Sequence, residues 1–579
     1  KGGVNVKEDS GVRMGERPWH LKYPLQVSPS YEYPKHNVAK LLLDSAREYP
    51  KHEALDFLGK SCTYKELLRQ CRKMADALKS LPIAKGERVA VMLPNCPQAV
   101  VAYYGALMAG AVVVQTNPTY TDRELRFQLE DSGATVLVVL DLLMPRVVKA
   151  REGHTNLKRV IVTSLSDGLP FPKNVLYPIK RRKEYPNLKV DYDAGQGVVR
   201  WSAFLRSGKE REICEEVDAE ADLAMIQYTG GTTGKPKGVM LTHANLLANT
   251  VQATAWCYRM EVGKERYLAA LPMFHVFGLT VLLNQAIYRA GTLLLVPRFE
   301  IEMVLETIRR RKPTVFPGAP TMYIALLNSP MMKEGDLSSI RICISGAAPL
   351  PREVQEKFES RSGGKLIEGY GLTESSPVTH CNPIWGYRKN GTIGVPLPDT
   401  DARIVGEAGT DPLPAGEIGE LAVRGPQVMK GYWNRPEETA AVLQDGWLRT
   451  GDIGTMDEEG YFTILDRKKD VILAGGFNVY PREVEEALFE HPAVKEASVL
   501  GVPDPYRGET VKAFVVVKEG WTVSEMQLDR WCRERLASYK VPKLYEFRDS
   551  LPLSLIGKVI RRKLREESAG EEEINLNIH

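Results

Sequence analysis

The sequence predicts an α/β protein with more than one domain, on three observations. Its 579 residues exceed the roughly 250–300 over which a single core keeps growing. From residue 38 to about 465, short β-rich runs alternate with segments of helical spacing, the pattern of layered and largely parallel sheets. Near residue 466 the texture changes, and the remaining 110 or so residues read as a compact α+β domain of ordinary size.

In the first part, "RVAVML" (88–93), "AVVVQT" (111–116), "TVLVVL" (135–140) and "RVIVTS" (159–164) read as strands. "TYKELLRQCRKMADALKSL" (63–81) carries apolar residues at helical spacing between them. The longest apolar run, "AVVAYYGALMAGAVVVQ" from Ala99, is short of the roughly 20 residues a membrane span needs and predicts a buried helix entering a buried strand. "LYPIKRRKEYPNLKVDYDAGQGVVRW" (176–201) is polar and basic. Its plain meaning is a solvated surface excursion; contact with an anionic membrane surface is the sharper alternative. "RRRK" (309–312) ends a helix, where cations suit the dipole, and Pro313 stops it. Beyond "DRKKD" (466–470), "PREVEEALFEH" opens with Pro481 at a first helical position and places Val484, Ala487 and Leu488 on one face. The end, "EESAGEEEINLNIH", is acidic and aperiodic and is expected to be disordered.

Composition excludes several classes. Hydrophobic residues make up 43% and charged residues 26%, with a net charge of +4, which is ordinary globular usage without the basic excess of a nucleic-acid binder. Eight cysteines, at 62, 71, 96, 214, 257, 343, 381 and 532, form no C-x-x-C pair. Reduced thiols in a cytoplasmic protein are the expectation. The first twenty residues hold no apolar core of a signal peptide, and the absence of an initiator Met leaves the native start open.

"YTGGTTGKPKGVMLTH" (228–243) concentrates glycine, threonine and lysine. It is not a Walker P-loop: Thr229 stands where that motif needs glycine, and Pro236 where it needs Ser or Thr. It still reads as a phosphate grip. Gly230, Gly231 and Gly234 allow close backbone approach to an anion, Thr229, Thr232 and Thr233 offer hydroxyls, and Lys235 and Lys237 add charge. A flexible surface turn is the bland alternative.

This segment resembles the signature of the adenylate-forming superfamily of acyl-CoA synthetases, luciferase and peptide-synthetase adenylation domains. "GYGLTE" (369–374), "LRTGD" (448–452), "DRKKD", "GFNVYPREVE" (476–485) and "GKVIRR" (557–562) follow in the family's order. The resemblance runs from about residue 38 to 566, and the overall wording looks most like bacterial long-chain fatty-acid–CoA ligases. It implies a large N-terminal domain (1–465) of layered α/β sheets with a small β-barrel, a hinge at 466–470, and a small mobile α+β domain (471–579). It also implies a two-step reaction with ATP, Mg²⁺ and coenzyme A: a carboxylate attacks the α-phosphate, and a thiol then displaces AMP.

Residue by residue, the resemblance gives Glu374 as a Mg²⁺ ligand together with Thr229, Thr373 as a phosphate donor beside Gly371, and Tyr370 as the adenine-stacking aromatic. Asp452 resembles the ribose ligand, joined by Arg467. Lys558 is the cation that bridges carboxylate and α-phosphate; its lead-in "LPLSLIGK" is more apolar than the family's commoner "LPKT-x-x-GK". Lys469 falls on the hinge position, and Gly475 and Gly476 on the thiol's entry. His275 in "LPMFHVFG" sits at a position that is either acyl gate or core. "FPGAPTMYIALL" (316–327) and "SGAAPL" (345–350) resemble the acyl-pocket walls, where Gly318, Ala319, Gly346, Ala347 and Ala348 are expected to leave an unobstructed tunnel. A medium-chain or aryl-acid ligase is the alternative on the same scaffold, and a luciferase-like oxidase or a non-catalytic acyl-adenylate binder the alternative of another class. Expected partners are fatty acid, ATP and CoA, with no nucleic acid; a homodimer and peripheral contact with the inner face of the membrane are the expected associations.

Overall fold

The computed structural model describes residues 17–576 apart from 82–83, 153–155, 194, 196, 230–235, 408, 475–476, 505–506 and 555–557. The chain divides into two compact units, one of residues 1–401 and 424–446, the other of 402–423 and 447–579.

The first unit is built on an eight-stranded sheet. From one edge it runs Gly431–Tyr432, Lys237–Thr242, Leu223–Thr229, Val112–Gln115, Arg88–Met92, Val136–Leu140, Arg159–Thr163 and Val198–Arg200. The six strands from Leu223–Thr229 onward are parallel, and the first two pair antiparallel. Ala90, Met92, Val112, Val114, Leu137, Val139, Val160 and Val162 pack on one face. Their alternates Val89, Val91, Val113, Val136, Val138 and Ile161 are buried on the other. Burial of both faces is why these strands read as unbroken apolar runs. Two four-stranded sheets complete the unit. One is ordered Arg266–Ala269, Thr292–Leu295, Glu53–Phe57, Lys60–Thr63; the other Ile342–Ser345, Lys365–Gly371, Val378–Cys381, Val395–Pro396.

Local signals in the sequence form the expected elements. Thr63 and Glu66 close a reciprocal capping box on the helix Tyr64–Lys79. The apolar run becomes the buried helix Pro97–Met108, and Val112–Gln115 follows it into the sheet. Among the described residues no helix is long and apolar enough to cross a membrane. "RRRK" ends the helix Ile301–Arg311 as expected, but its arginines do more than face a dipole. Arg309 is bidentate to Asp336, and Arg311 pairs with Glu53 and Asp56. The eight cysteines are all free thiols.

In the second unit, antiparallel strands Gly419–Arg424, Trp447–Met456 and Phe462–Arg467 precede a sheet ordered Phe477–Val479, Ile472–Ala474, Gly508–Val517, Val494–Asp504. The helix Pro481–Phe489 starts on Pro481 and buries Val484, Ala487 and Leu488, as its pattern requires. The helix Arg561–Leu576 takes in residues 566–576 of the acidic end. Glutamate and alanine are strong helix formers, and a helix needs no apolar stripe to satisfy its own backbone.

Candidate active site

In the first unit the phosphate-loop flanks are fixed by two antiparallel strands in which Thr229 faces Lys237. Gly230, Gly231, Thr232, Thr233, Gly234 and Lys235 lie outside the described residues. The near flank is anchored by Tyr228, whose hydroxyl donates to Asp131 at 2.6 Å. Asp131 also receives Arg435 at 2.9 Å, and its carbonyl accepts from the Trp433 indole at 3.0 Å. One half-buried carboxylate thus ties the strand before the loop to the segment 432–435.

That segment also carries Tyr432, which joins the predicted residues. The Lys237 ammonium lies 4.9 Å from the Tyr432 ring centroid and pairs with Glu438. The Tyr432 hydroxyl donates to Glu374 Oε1 at 2.8 Å. Burial, then the nearby Glu374 carboxylate, pushes the phenol far above its ordinary range, so it stays a donor. Thr229, Lys237, Tyr432 and Glu374 therefore form one connected chain.

Glu374 and Thr373 sit in the short turn Thr373–Ser375 after the strand Lys365–Gly371. Gly371 has to be glycine: a Cβ there would meet the Pro377 carbonyl oxygen at 1.9 Å. Tyr370 is half-buried and meets His380 edge-on at 5.9 Å. Among the described residues the second oxygen of Glu374 has no hydrogen-bond partner, and no cluster of three metal-ligating side chains occurs. A lone carboxylate oxygen is a hard donor. It suits Mg²⁺, which keeps several waters and binds through one or two carboxylates plus phosphate oxygens.

The acyl-wall residues are also brought together. The Gly346 amide donates to Gly318 O at 3.1 Å, and Ala319 caps the helix Pro320–Asn328 while fully buried. A Cβ at Gly346 would meet the Phe277 ring at 2.9 Å, and one at Gly318 would meet Tyr323 at 3.3 Å. Here the structure differs from the expected open tunnel: at least part of the space these small residues leave is taken by aromatic rings. Ala347 is exposed and left-handed at φ 72°. His275 is half-buried, and its Nδ1 accepts from the Phe277 amide at 3.3 Å. Met273 and Phe274 beside it line a small cavity with Leu93, Ala99, Tyr103 and Leu283.

The second unit gathers the other predicted residues. Asp452 is 5% exposed and lies opposite Arg467 in the ladder, with Arg467 Nε 3.5 Å from Asp452 Oδ1. Glu420, which the sequence pattern does not single out, holds the turn before Asp452. It accepts from the Gly451 amide at 3.0 Å and from Arg449 at 2.7 Å. Lys558 interacts electrostatically with Arg467, Asp452, Arg561 and Asp470. Burial, reinforced by the Arg467 guanidinium, pushes its ammonium down to about 7. Partial burial of its ammonium and the Arg467 guanidinium likewise push Lys469 down to about 8, although the residue is exposed. A cluster of cations that disfavour one another is a site prepared for an anion. Gly475 and Gly476 lie outside the described residues.

Known proteins resemble this chain along nearly its whole length. Residues 42–433 match the AMP-binding enzyme family and residues 483–558 the AMP-binding enzyme C-terminal domain. A long-chain-fatty-acid–CoA ligase of Bacillus subtilis (strain 168) is 50% identical over 562 residues, covering 97% of this chain and 100% of that protein. The crystal structure of ATP-bound MatB from Rhodopseudomonas palustris superimposes with a TM-score of 0.81 at 31% identity, over 92% of this chain and 98% of that one. The anthranilate CoA ligase AuaEII in complex with anthranoyl-AMP gives 0.82 at 28% identity, over 93% and 98%.

Proposed function

Because the chain belongs to the AMP-binding enzyme family, we infer that it is a long-chain-fatty-acid–CoA ligase working through an acyl-adenylate. The carrying observation is 50% identity along nearly the full length of both chains to a ligase of that name. In the first step a carboxylate oxygen bonds to the α-phosphorus of ATP and pyrophosphate leaves. In the second the CoA sulfur bonds to the acyl carbon, its proton is lost, and AMP leaves. The mixed anhydride between them turns a poor acyl donor into a good one.

We assign roles to the side chains as follows. Glu374 holds the magnesium ion with Thr229, and that ion supplies charge neutralisation at the phosphates. Tyr432 orients Glu374 by donating to one of its oxygens. Thr229 to Lys237, with Thr373, grip the departing phosphates. Tyr370 stacks on adenine, beside Gly371. Asp452 accepts from the ribose hydroxyls with Arg467 alongside, and Lys558 bridges the two anions that must meet. His275 and the small residues Gly318, Ala319, Gly346 and Ala347 border the acyl group. Lys469 is the pivot on which residues 471–579 turn relative to 1–465, so that Gly475 and Gly476 replace Lys558 for the thiol step. That division concerns which segment moves, not which residues pack most densely.

Each methylene buried in an acyl pocket contributes about 0.8 kcal/mol, or roughly fourfold in kcat/KM. Release of AMP across saturated acids of increasing length is therefore expected to climb to a plateau at long chains. A flat profile, or a maximum at an aryl acid, removes the long-chain assignment in favour of the aryl or medium-chain reading.

We further propose peripheral contact with an anionic membrane through the helix Lys173–Glu184, none of whose side chains is buried. Phe171, Leu176 and Ile179 stand 82%, 57% and 65% exposed, beside exposed Lys173, Lys180, Arg182 and Lys183. Apolar side chains among cations suit a headgroup boundary. The full chain is expected to float with phosphatidylglycerol vesicles and not with phosphatidylcholine ones. Leu176→Asp with Ile179→Asp should abolish flotation and leave turnover of detergent-dispersed substrate intact; flotation unaffected by the pair rules the helix out.

A further inference from the structure

The segment Asp466–Asp470 is bracketed by two buried carboxylates, 4% and 8% exposed at the side chain, and one guanidinium holds both. Arg561 Nη1 donates to Asp466 Oδ1 and to Asp470 Oδ2, each at 3.2 Å, while its Nη2 donates to Glu485 Oε1 at 2.8 Å. Arg561 stands three residues after Lys558, and the residues around them are bonded and packed. Ser554 and Lys558 exchange hydrogen bonds, Leu553 bridges to Val559, and Leu551, Val559 and Leu564 pack into one small core. A second strap crosses the same segment. The Arg482 amide donates to Asp466 Oδ2 at 2.8 Å, and its guanidinium donates to Ile464 O at 2.8 Å.

These partners fall on opposite sides of Lys469. Asp466 and Ile464 precede it; Asp470, Arg482, Glu485 and Arg561 follow it. Rotation at Lys469 carries the last four together, preserving Arg561 with Asp470 and Glu485. It also strips Asp466 of Arg561 and of the Arg482 amide. Asp466 keeps only the neighbouring Arg467 amide, at 2.7 Å, and a buried carboxylate losing two of its three donors is costly. Resting on the reading of Lys469 as the pivot, we propose that Arg561, with Asp466, latches the arrangement in which Lys558 lies beside Asp452 and Arg467. Arg561 is a positioning residue: it acts on the adenylation step through Lys558 and has no part in thiol transfer.

Asp466→Asn and Arg561→Met are each expected to lower fatty-acid-dependent ATP–pyrophosphate exchange by about tenfold or more, as for a broken buried ion pair. The double variant is expected to be no worse than the poorer single one, because the Asp466–Arg561 contact is already lost in either single variant. Acyl transfer to CoA from supplied acyl-adenylate should hold within about twofold or rise, since the latch opposes the pose that step needs. Asp466→Asn keeps size and shape, so it reports even where Arg561→Met fails to fold. Equal loss in both half-reactions, or additive loss in the double variant, overturns the latch. Lys469→Pro tests the pivot separately: it should stop thiol transfer and spare exchange. If it spares both, the pivot falls; if it behaves as expected while the latch variants do not, only the latch falls.

Discussion

Lys558→Ala is expected to lower fatty-acid-dependent ATP–pyrophosphate exchange by about a thousandfold while largely sparing CoA transfer from supplied acyl-adenylate. The magnitude follows from the charge it removes: unit charges 4 Å apart at an effective dielectric of 20 interact by about 4 kcal/mol, and the ammonium faces two anions only while they are being joined. Equal loss in both assays would remove this role. The same residue sets an expected pH profile. Its ammonium is pushed down to about 7 by burial and by Arg467, and the bridging form is the protonated one. Adenylation kcat/KM should therefore fall as pH rises through that value, and kcat should fall only at higher pH, because bound phosphates favour the charged lysine. Stability moves the other way. The folded value lies below the unfolded one, so the unfolded chain binds more protons between them. The protonated lysine thus weakens the fold most below about pH 7, and the weakness fades toward the ordinary lysine range. Lys558→Met, which keeps the stem, should raise Tm more under mildly acidic than under alkaline conditions.

Glu374→Gln is expected to cost about a hundredfold to a thousandfold in adenylation, the usual range for removing one group that stabilises transition-state charge. An amide oxygen still accepts the Tyr432 hydroxyl, so the turn Thr373–Ser375 should keep its shape and Tm should hold. What disappears is the anionic donor for a hard cation. The variant should need more magnesium for half-maximal exchange and transfer the acyl group from supplied adenylate nearly as well as the parent. Unchanged magnesium dependence would argue that Glu374 serves only to fix Tyr432.

The contrast between these side chains shows what a sequence can carry. "GYGLTE" names Glu374 and Gly371 because the backbone passes so close to Pro377 that only glycine fits, a constraint local to a dozen residues. The helix opening on Pro481 and the buried runs of the large sheet were legible for the same reason: periodicity and caps act over neighbouring positions. Tyr432, Asp131, Glu420 and Arg561 were not singled out, since each works on a partner far along the chain: Glu374, Tyr228, Gly451 and Asp466. No spacing rule reaches across such separations.

By itself, then, the amino-acid order determined the layered α/β class, the ordered motifs and which charged groups are candidates for such chemistry. Folding alone decided their working properties: that burial, with the Arg467 guanidinium beside it, pushes the Lys558 ammonium down to about 7, that rings of Phe277 and Tyr323 take the room beside Gly346 and Gly318, and that one guanidinium grips both ends of Asp466–Asp470. The physical reason is that electrostatic and packing energies depend on distance through space and on the water excluded there, and neither quantity is written in the linear order of residues.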